Sequence, residues 1–399
     1  MNLNILFIDD EPEILSGYKR MLYSMKKEWN QFFCASGSEA FEVLQKEKID
    51  VVISDLRMPQ MNGIEVLTKV KSLYPDVIRL VLSGQQNDIQ AIQSTGVAHQ
   101  FLSKPCDAEL LKRTIDHAMN LRTLVGNESV RKIINGIGDL PLLPDLYIEI
   151  ESELSKREVS IDRVLKLISN DIPLVAKMMQ IVNSSFFGLK NTINNLDQAL
   201  NFLGINMIKS IIVHYYVFSN RKSSLAYTKY CEKIGSHSIK VASIAKEIAF
   251  KETGDKLIVN FSFMAGILHD LGKIILYNIG DYETKVNYLC QSERIPNHIA
   301  EYELYGFTHA EVGAYLLGIW GLSDRIVEAV ACHHNPSKLN ENRFTAVSAV
   351  HIANIIEKKT SELTDDIGID KMKYLLKEID YEYFDGLGTK YKIIDYIKR

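Results

Sequence analysis

Short apolar runs alternate with amphipathic stretches over the first ~120 residues, a spacing in which strand and helix patterns take turns. The runs predict strands at Leu3–Ile8, Gln31–Ala35, Val51–Ser54, Val77–Leu82 and Gln100–Ser103. Helical patterns lie between them, the first opening on Pro12, which suits a helix's first turn. Five strand–helix units in this order predict an α/β doubly wound five-stranded parallel sheet with helices on both faces. Asp107 to about Val125 reads as one helix, with Leu111, Ile115, Ala118, Met119 and Arg122 on neighbouring turns. Gly126–Asn127 is the first credible break and Leu140 to Pro144 a second. From residue 145 the strand patterns vanish. Helical periodicity then dominates, in Val164/Leu165/Ile168, Leu174/Met178/Ile181 and Ile234/Val241/Ile244/Ile248, and predicts an all-α half. No repeat of fixed period is visible.

Composition narrows the function without naming it. A chain of 399 residues suggests two or three domains, and 46% hydrophobic with 24% charged residues excludes wholesale disorder. Lys plus Arg number 46 against 50 Asp plus Glu, a net −4 that gives no general pull towards nucleic acid or an anionic membrane. Five cysteines (Cys34, Cys106, Cys231, Cys290, Cys332) are scattered and never spaced CxxC, which argues for a reducing compartment and against a disulfide framework. The N-terminal apolar run is too short for a signal peptide, and no window reaches ~18 uninterrupted apolar residues. A soluble, cytoplasmic protein is expected.

Chemistry gathers first at the strand ends. Strand one runs into Asp9–Asp10, strand three into Asp55, strand four into Ser83 and strand five into Lys104–Pro105. In parallel sheets ligands bind at the carboxyl ends of the strands. Three carboxylates converging there repel one another unless a hard cation such as Mg²⁺ sits among them. With a lysine and a hydroxyl added, the set can handle a phosphoryl group: one carboxylate as nucleophile, the cation and lysine on phosphate oxygens.

The segments FIDDEPE, VVISDLRMPQMNGIEVL, VLSG and FLSKP resemble the flavodoxin-like receiver domain of bacterial two-component response regulators, over residues 1 to about 122. The resemblance implies that Asp55 is the phosphoacceptor, that Asp9, Asp10, Asp55 and the backbone carbonyl of Arg57 hold Mg²⁺, and that Ser83 and Lys104 bind phosphoryl oxygens. Phe101 takes the aromatic switch position, and the Lys104–Pro105 bond is expected to be cis. A sensor histidine kinase is the implied partner.

The helical half concentrates histidine. Six of ten (His237, His269, His298, His309, His333, His334) fall within residues 237–334. His237 shares a stripe with Ile234 and Val241, His309 with Val312 and Leu316, and His333 with Ile326 and Val330, so these point inward. Asp270 follows His269 directly. Histidines and a carboxylate on inward faces are what a buried metal site requires, while any one of them alone reads as a core residue.

The strings IVNSSFFGLKNTINNLDQALNFLG, LPLLPDLYIEI and AGILHDLGKIIL resemble HDOD domains, output modules related to the HD phosphohydrolases, over about 132–340. The expected division is therefore receiver 1–122, joint 123–131, HDOD domain 132–340 and a helical extension 341–399 ending in a hairpin of helices. HD hydrolases bind metal through a histidine, a His-Asp pair and a later aspartate. Mapped here these are His237, His269, Asp270 and Asn354, and a neutral amide is a poor replacement for a carboxylate. Lys273 is kept, whereas the glutamate and GYP loop of the cyclic-di-GMP phosphodiesterase branch are missing after His333–His334. The resemblance implies a non-catalytic output that binds a protein partner or ligand, with at most a weakly bound transition metal. The alternative is a metal-dependent HD-type phosphohydrolase acting on a nucleotide or cyclic dinucleotide. No helix-turn-helix string or basic stripe suggests direct nucleic-acid binding, and the sequence leaves open a phosphorylation-dependent dimer.

Overall fold

The computed structural model describes residues 2–74, 77–83, 97–98, 100–104, 106–124, 130, 144–154, 156, 158–183, 192–218, 224–320, 322–339, 343–362, 379–380 and 383–384. The chain divides into two compact units, Met1–Leu142 with Tyr315–Leu322 and Leu143–Ala314 with Ser323–Arg399.

In the first unit, strands β1 (Leu3–Ile8), β2 (Trp29–Cys34), β3 (Val51–Asp55), β4 (Ile78–Ser83) and β5 (Gln100–Ser103) form a parallel sheet in the order β2-β1-β3-β4-β5. The strands are apolar on both faces, as a sheet covered on both sides requires. Ile5, Phe7, Val51, Ile53, Leu80 and Leu82 face Leu15 and Tyr18 of α1 (Pro12–Met21) and Leu111 and Ile115 of α4 (Ala108–Leu124). Leu6, Ile8, Val52 and Val81 face the opposite layer, which holds Ala40 and Leu44 of α2 (Gly37–Lys46) and Val66, Leu67 and Val70 of α3 (Gly63–Leu73). Each such fully buried aliphatic side chain contributes about 1.5–3 kcal/mol. Local chemistry starts the helices: Pro12 opens α1, the Ser36 side chain caps α2, and Asn62 and Glu65 form a reciprocal capping box on α3.

The register sets the strand ends level. Ile8 pairs with Ser54, Asp55 with Leu82, and Ser83 with Ser103, so Asp9, Asp55, Ser83 and Lys104 come to one edge of the sheet. Gly63 serves this edge directly, because a Cβ there would stand 2.2 Å from the Asp55 carbonyl oxygen. The predicted break at Gly126–Asn127, the one at Leu140 to Pro144 apart from Pro144, and the joint 123–131 apart from Thr123, Leu124 and Val130 lie outside the described residues.

The described part of the second unit is helical: α5 (Asp145–Leu154), α6 (Ile161–Ser169), α7 (Ile172–Val182), α8 (Leu196–Leu203), α9 (Ile205–Phe218), α10 (Leu225–Thr253), α11 (Lys256–Leu268), α12 (Leu271–Leu276), α13 (Tyr282–Glu293), α14 (Asn297–Tyr305), α15 (His309–Ile319), α16 (Asp324–Cys332) and α17 (Ala346–Glu362). The span Lys256–Leu276 is long and apolar enough to cross a membrane by length and composition, yet 83% of it is buried within the fold. Its apolarity is that of a central helix. Two glycines allow the close crossings there: a Cβ on Gly266 would meet Ala242 Cα at 2.6 Å, and one on Gly272 would meet the His309 carbonyl oxygen at 1.9 Å. The second approach brings the His269–Asp270 corner against the start of α15. Of the extension 341–399, in which a hairpin of helices is expected, α17 is described; beyond it all but Ile379, Asp380, Tyr383 and Phe384 lies outside the described residues.

Candidate functional site

At the sheet edge one ammonium joins two carboxylates. Lys104 Nζ lies 2.7 Å from Asp9 Oδ2 and pairs closely with Asp55 Oδ1. The remaining carboxylate oxygens are held by backbone donors: Glu11 N–H donates to Asp9 Oδ1 at 3.0 Å, and Arg57 N–H to Asp55 Oδ2 at 2.8 Å. Asp9 is buried and Asp10 half-buried beside it. Burial works against the Lys104 ammonium, but its hydrogen bonds and charge pairing with Asp55 and Asp9 outweigh that and hold its pKa above the usual lysine value. Ser83 ends β4, buried, and its carbonyl accepts the Lys104 N–H at 2.7 Å. Phe101 lies in β5, with its side chain outside the described set, as is Pro105 and with it the expected cis bond. The edge thus presents oxygens suited to a hard cation and two carboxylates beside a fixed cationic side chain.

The histidines of the helical unit converge on Asp270. Asp270 Oδ1 lies 3.1 Å from His309 Nε2 and 3.5 Å from His269 Nε2; its Oδ2 lies 3.7 Å from His237 Nε2 and accepts a hydrogen bond from Lys273 at 2.7 Å. His237, His269 and Asp270 form one donor group and His309, His333 and His334 another, the donor atoms within each lying inside 4.8 Å of one another. Asn354 joins the first, its Oδ1 3.1 Å from His237 Nε2. His298 instead stacks on the His334 ring, centroids 4.1 Å apart. His333 stands just past the end of α16 rather than within the stripe that the periodicity suggested, and His269 stands just past the end of α11.

The outer nitrogens show how the rings are aimed. His269 Nδ1 meets the Gly266 carbonyl at 2.8 Å, His333 Nδ1 the Val330 carbonyl at 2.8 Å, His309 Nδ1 the Glu301 carboxylate at 2.6 Å, and His237 Nδ1 pairs closely with Glu357. Four Nδ1 atoms face outward to acceptors, so four Nε2 atoms face the centre. His269 Nε2 and His333 Nε2 are buried with no hydrogen-bond partner, and Asp270 Oδ1 is buried with no well-aligned one, each such group costing about 1–3 kcal/mol. A histidine serving only as core would satisfy its inner nitrogen. Carboxylate or carbonyl outside and Nε2 inside is the arrangement that orients metal-ligating imidazoles, and the donor set suits a transition metal.

Sequence reasoning missed Glu301, Glu357 and Tyr282, whose hydroxyl donates to Glu301 at 2.6 Å. A signal existed for Glu357, which lies three residues after Asn354 and so shares its helix face. Nothing local marks Glu301.

Burial pushes His269 down to about 3 and His333 and His334 well below the usual value, the neighbouring imidazoles adding to the effect on the last two. At His309 burial is outweighed by the Glu301 charge, and its pKa is raised. Burial would raise Asp270, but the His269 ring, Lys273 and His309 keep it well below the carboxylate range. Groups held below their unfolded value near 6.5 contribute stability that is full above that pH and is lost as pH falls. His309, held above it, contributes stability that is lost as pH rises. His214, buried elsewhere among the helices, is likewise pushed down to about 3 by burial. Four imidazoles thus oppose one, and chelator-treated protein should lose stability between pH 7 and pH 5, by roughly 1 kcal/mol per pH unit for each unbalanced group. Urea midpoints at pH 7, 6 and 5 measure this, and a midpoint that climbs on acidification would contradict it.

Comparison with known proteins agrees with both halves. Residues 5–116 match the response regulator receiver domain and residues 140–336 the HDOD domain. An uncharacterized protein of Treponema pallidum (strain Nichols) is 25% identical over 224 residues, 56% of this chain and 43% of that protein. The transcriptional regulatory protein GlrR of Escherichia coli (strain K12) is 34% identical over 133 residues, 33% of this chain and 29% of its own length. The chain thus spans less than half the length of these curated relatives. The crystal structure of an HDOD domain protein of unknown function from Geobacter sulfurreducens aligns with TM-score 0.52 and 23% identity, over 70% of this chain and 94% of that one, a likeness of fold. With a doubly wound sheet under the first match and a helical unit under the second, the chain is a response regulator receiver domain followed by an HDOD domain.

Proposed function

We propose that a sensor histidine kinase phosphorylates Asp55, with Mg²⁺ held by Asp9, Asp10, Asp55 and the Arg57 carbonyl, and that the phosphoryl group controls a cytoplasmic HDOD output holding a transition metal. Ser83 and Lys104 bind the phosphoryl oxygens, and Phe101 with the helix α4 carries the change onward. The phosphoryl group can shift two arrangements only by its differential interaction with them, typically about 1–3 kcal/mol.

The observation that supports the output half is the set of four imidazoles held outward through Nδ1, with Nε2 turned inward around Asp270 and left bare in His269 and His333. His237, His269, Asp270 and Asn354 would hold one ion, and His309, His333 and His334 would hold a second. Bound there, a divalent ion would supply Lewis acidity towards an anionic oxygen. Asp270 is the only carboxylate in either donor group, and Asn354 adds a neutral oxygen where a second charge is wanted. This donor set fits recognition of a ligand or protein partner better than turnover. The pairing of two donor groups about one Asp270 favours a second reading, a phosphohydrolase acting on a nucleotide or cyclic dinucleotide.

Metal analysis and hydrogen exchange test the first reading together. The purified protein should hold a stoichiometric transition metal, and the exchange map of residues 145–362 should change when acetyl phosphate loads Asp55. Identical maps would remove the switch. Turnover of cyclic-di-GMP with Mn²⁺ or Fe²⁺, lost in Asp270→Ala, would replace the first reading with the second.

A further inference from the structure

The HDOD match ends at residue 336, yet residues beyond it reach back to the turn that carries two inward histidines. That turn, His333 to Ser337, leaves α16 and enters a 3₁₀ turn at Pro336–Leu339. Both its ends carry backbone groups that helix geometry leaves unpaired. The His333 carbonyl is taken by His351 of α17, whose Nδ1–H donates to it at 2.7 Å. At the other end, Ser337 N–H donates to Asp380 Oδ2 at 2.8 Å, and Ser337 Oγ lies 2.6 Å from both Asp380 oxygens. Asp380 also closes the circuit, for its own N–H donates to His351 Nε2 at 3.2 Å. Residue 380 therefore touches both ends of the turn, one directly and one through an imidazole that is itself no part of the donor groups.

The anchorage around Asp380 is buried. Ile379, Tyr383 and Phe384 are each under a tenth exposed. The Tyr383 hydroxyl lies 2.7 Å from Ser348 Oγ and donates to the Arg343 carbonyl at 3.1 Å, and the Phe384 ring stacks on His351 with centroids 5.7 Å apart.

We propose that Asp380 is a positioning residue for the His309–His333–His334 donor group, holding the His333–Ser337 turn so that both rings face the centre. Residues beyond the HDOD match are thereby part of the output site. The functional consequence rests on the metal reading above; the positioning does not.

The test uses the full chain with Asp380→Ala, Asp380→Asn and the milder Ser337→Ala. In chelator-treated protein, Asp380→Ala should lose protection of the Ser337 amide against exchange by tenfold or more. It should also move the ring ¹⁵N resonances of His333 and His334, leaving those of His237 and His269 in place. In Co²⁺ titrations the His309–His333–His334 group should weaken by about 10- to 100-fold, as outer-layer losses typically do. Asp380→Asn, which keeps an acceptor oxygen, should recover part of the loss, and Ser337→Ala should show the same pattern in smaller measure. Unmoved His333 and His334 resonances in a folded Asp380→Ala protein would overturn the proposal, as would unchanged Co²⁺ affinity beside a wild type that binds two ions. A wild type that takes up no Co²⁺ would sink the metal reading, and the ring resonances would still decide the positioning.

Discussion

Asp55→Asn should lose all phosphoryl labelling from acetyl phosphate in Mg²⁺, while Arg57→Ala keeps it. Two carboxylates, Asp9 and Asp55, share the Lys104 ammonium; what separates them is position. Each has one oxygen tied by a backbone N–H, Asp9 by Glu11 and Asp55 by Arg57, but the Asp9 side chain is 2% exposed whereas that of Asp55 keeps 12% of its surface at the open strand end. The nucleophile has to be reachable by the phosphoryl donor, and of the two Asp55 is the one that is. An amide in its place has no anionic oxygen to attack with, so the loss is complete rather than partial. Arg57 meets Asp55 through its backbone N–H, which alanine preserves. Lys104→Ala should keep some labelling but weaken the response, because the lysine neutralises phosphate oxygens without supplying the nucleophile. Autoradiography or intact mass after labelling reads all three variants, and a phosphorylated Asp55→Asn protein would reject the assignment.

Asp270→Asn should remove the ion of the His237–His269–Asp270 group, weaken the neighbouring group through the Asp270 oxygen 3.1 Å from His309 Nε2, and also destabilise the metal-free helical domain. The side chain is 1% exposed and stands between the two groups, near His269 and His309 on one oxygen and near His237 and Lys273 on the other. Without its charge, Lys273, itself 8% exposed, becomes a buried cation without its carboxylate. Breaking a buried pair from one side typically costs about 3–5 kcal/mol. Chelator treatment of the wild type should therefore mimic the metal loss but not the whole stability loss, since the Asp270–Lys273 pair survives it. Urea unfolding of wild type and variant, each with and without chelator, separates these contributions. Equal midpoints for chelated wild type and Asp270→Asn would mean that the carboxylate serves the metal alone, and full metal content in the variant would mean that the donor groups lie elsewhere.

Much of this was legible along the chain. Leu3–Ile8 and Gln100–Ser103 form strands within the bounds expected of them, and α4 runs from Ala108 to Leu124 where one helix was expected from Asp107 to about Val125. Strand and helix periods are properties of neighbouring residues, so they survive in a one-dimensional reading. The strand-end acids were legible for the same reason: a parallel sheet puts its carboxyl ends on one side whatever the details of packing. The His269–Asp270 pair and the density of histidines between 237 and 334 were also visible, as was the neutral Asn354.

Contacts between distant positions were not. Glu301 meets His309 across eight residues, Glu357 meets His237 across 120, and Asp380 meets Ser337 across 43. No local period encodes such pairs, because which helix faces cross is set by packing, here by the close approaches at Gly266 and Gly272. Residue types and elements therefore follow from the order of side chains along the chain. Which nitrogen of each histidine looks inward follows only from the fold, since an imidazole has two, and the one left for the centre is decided by the acceptor that tertiary structure sets behind the other.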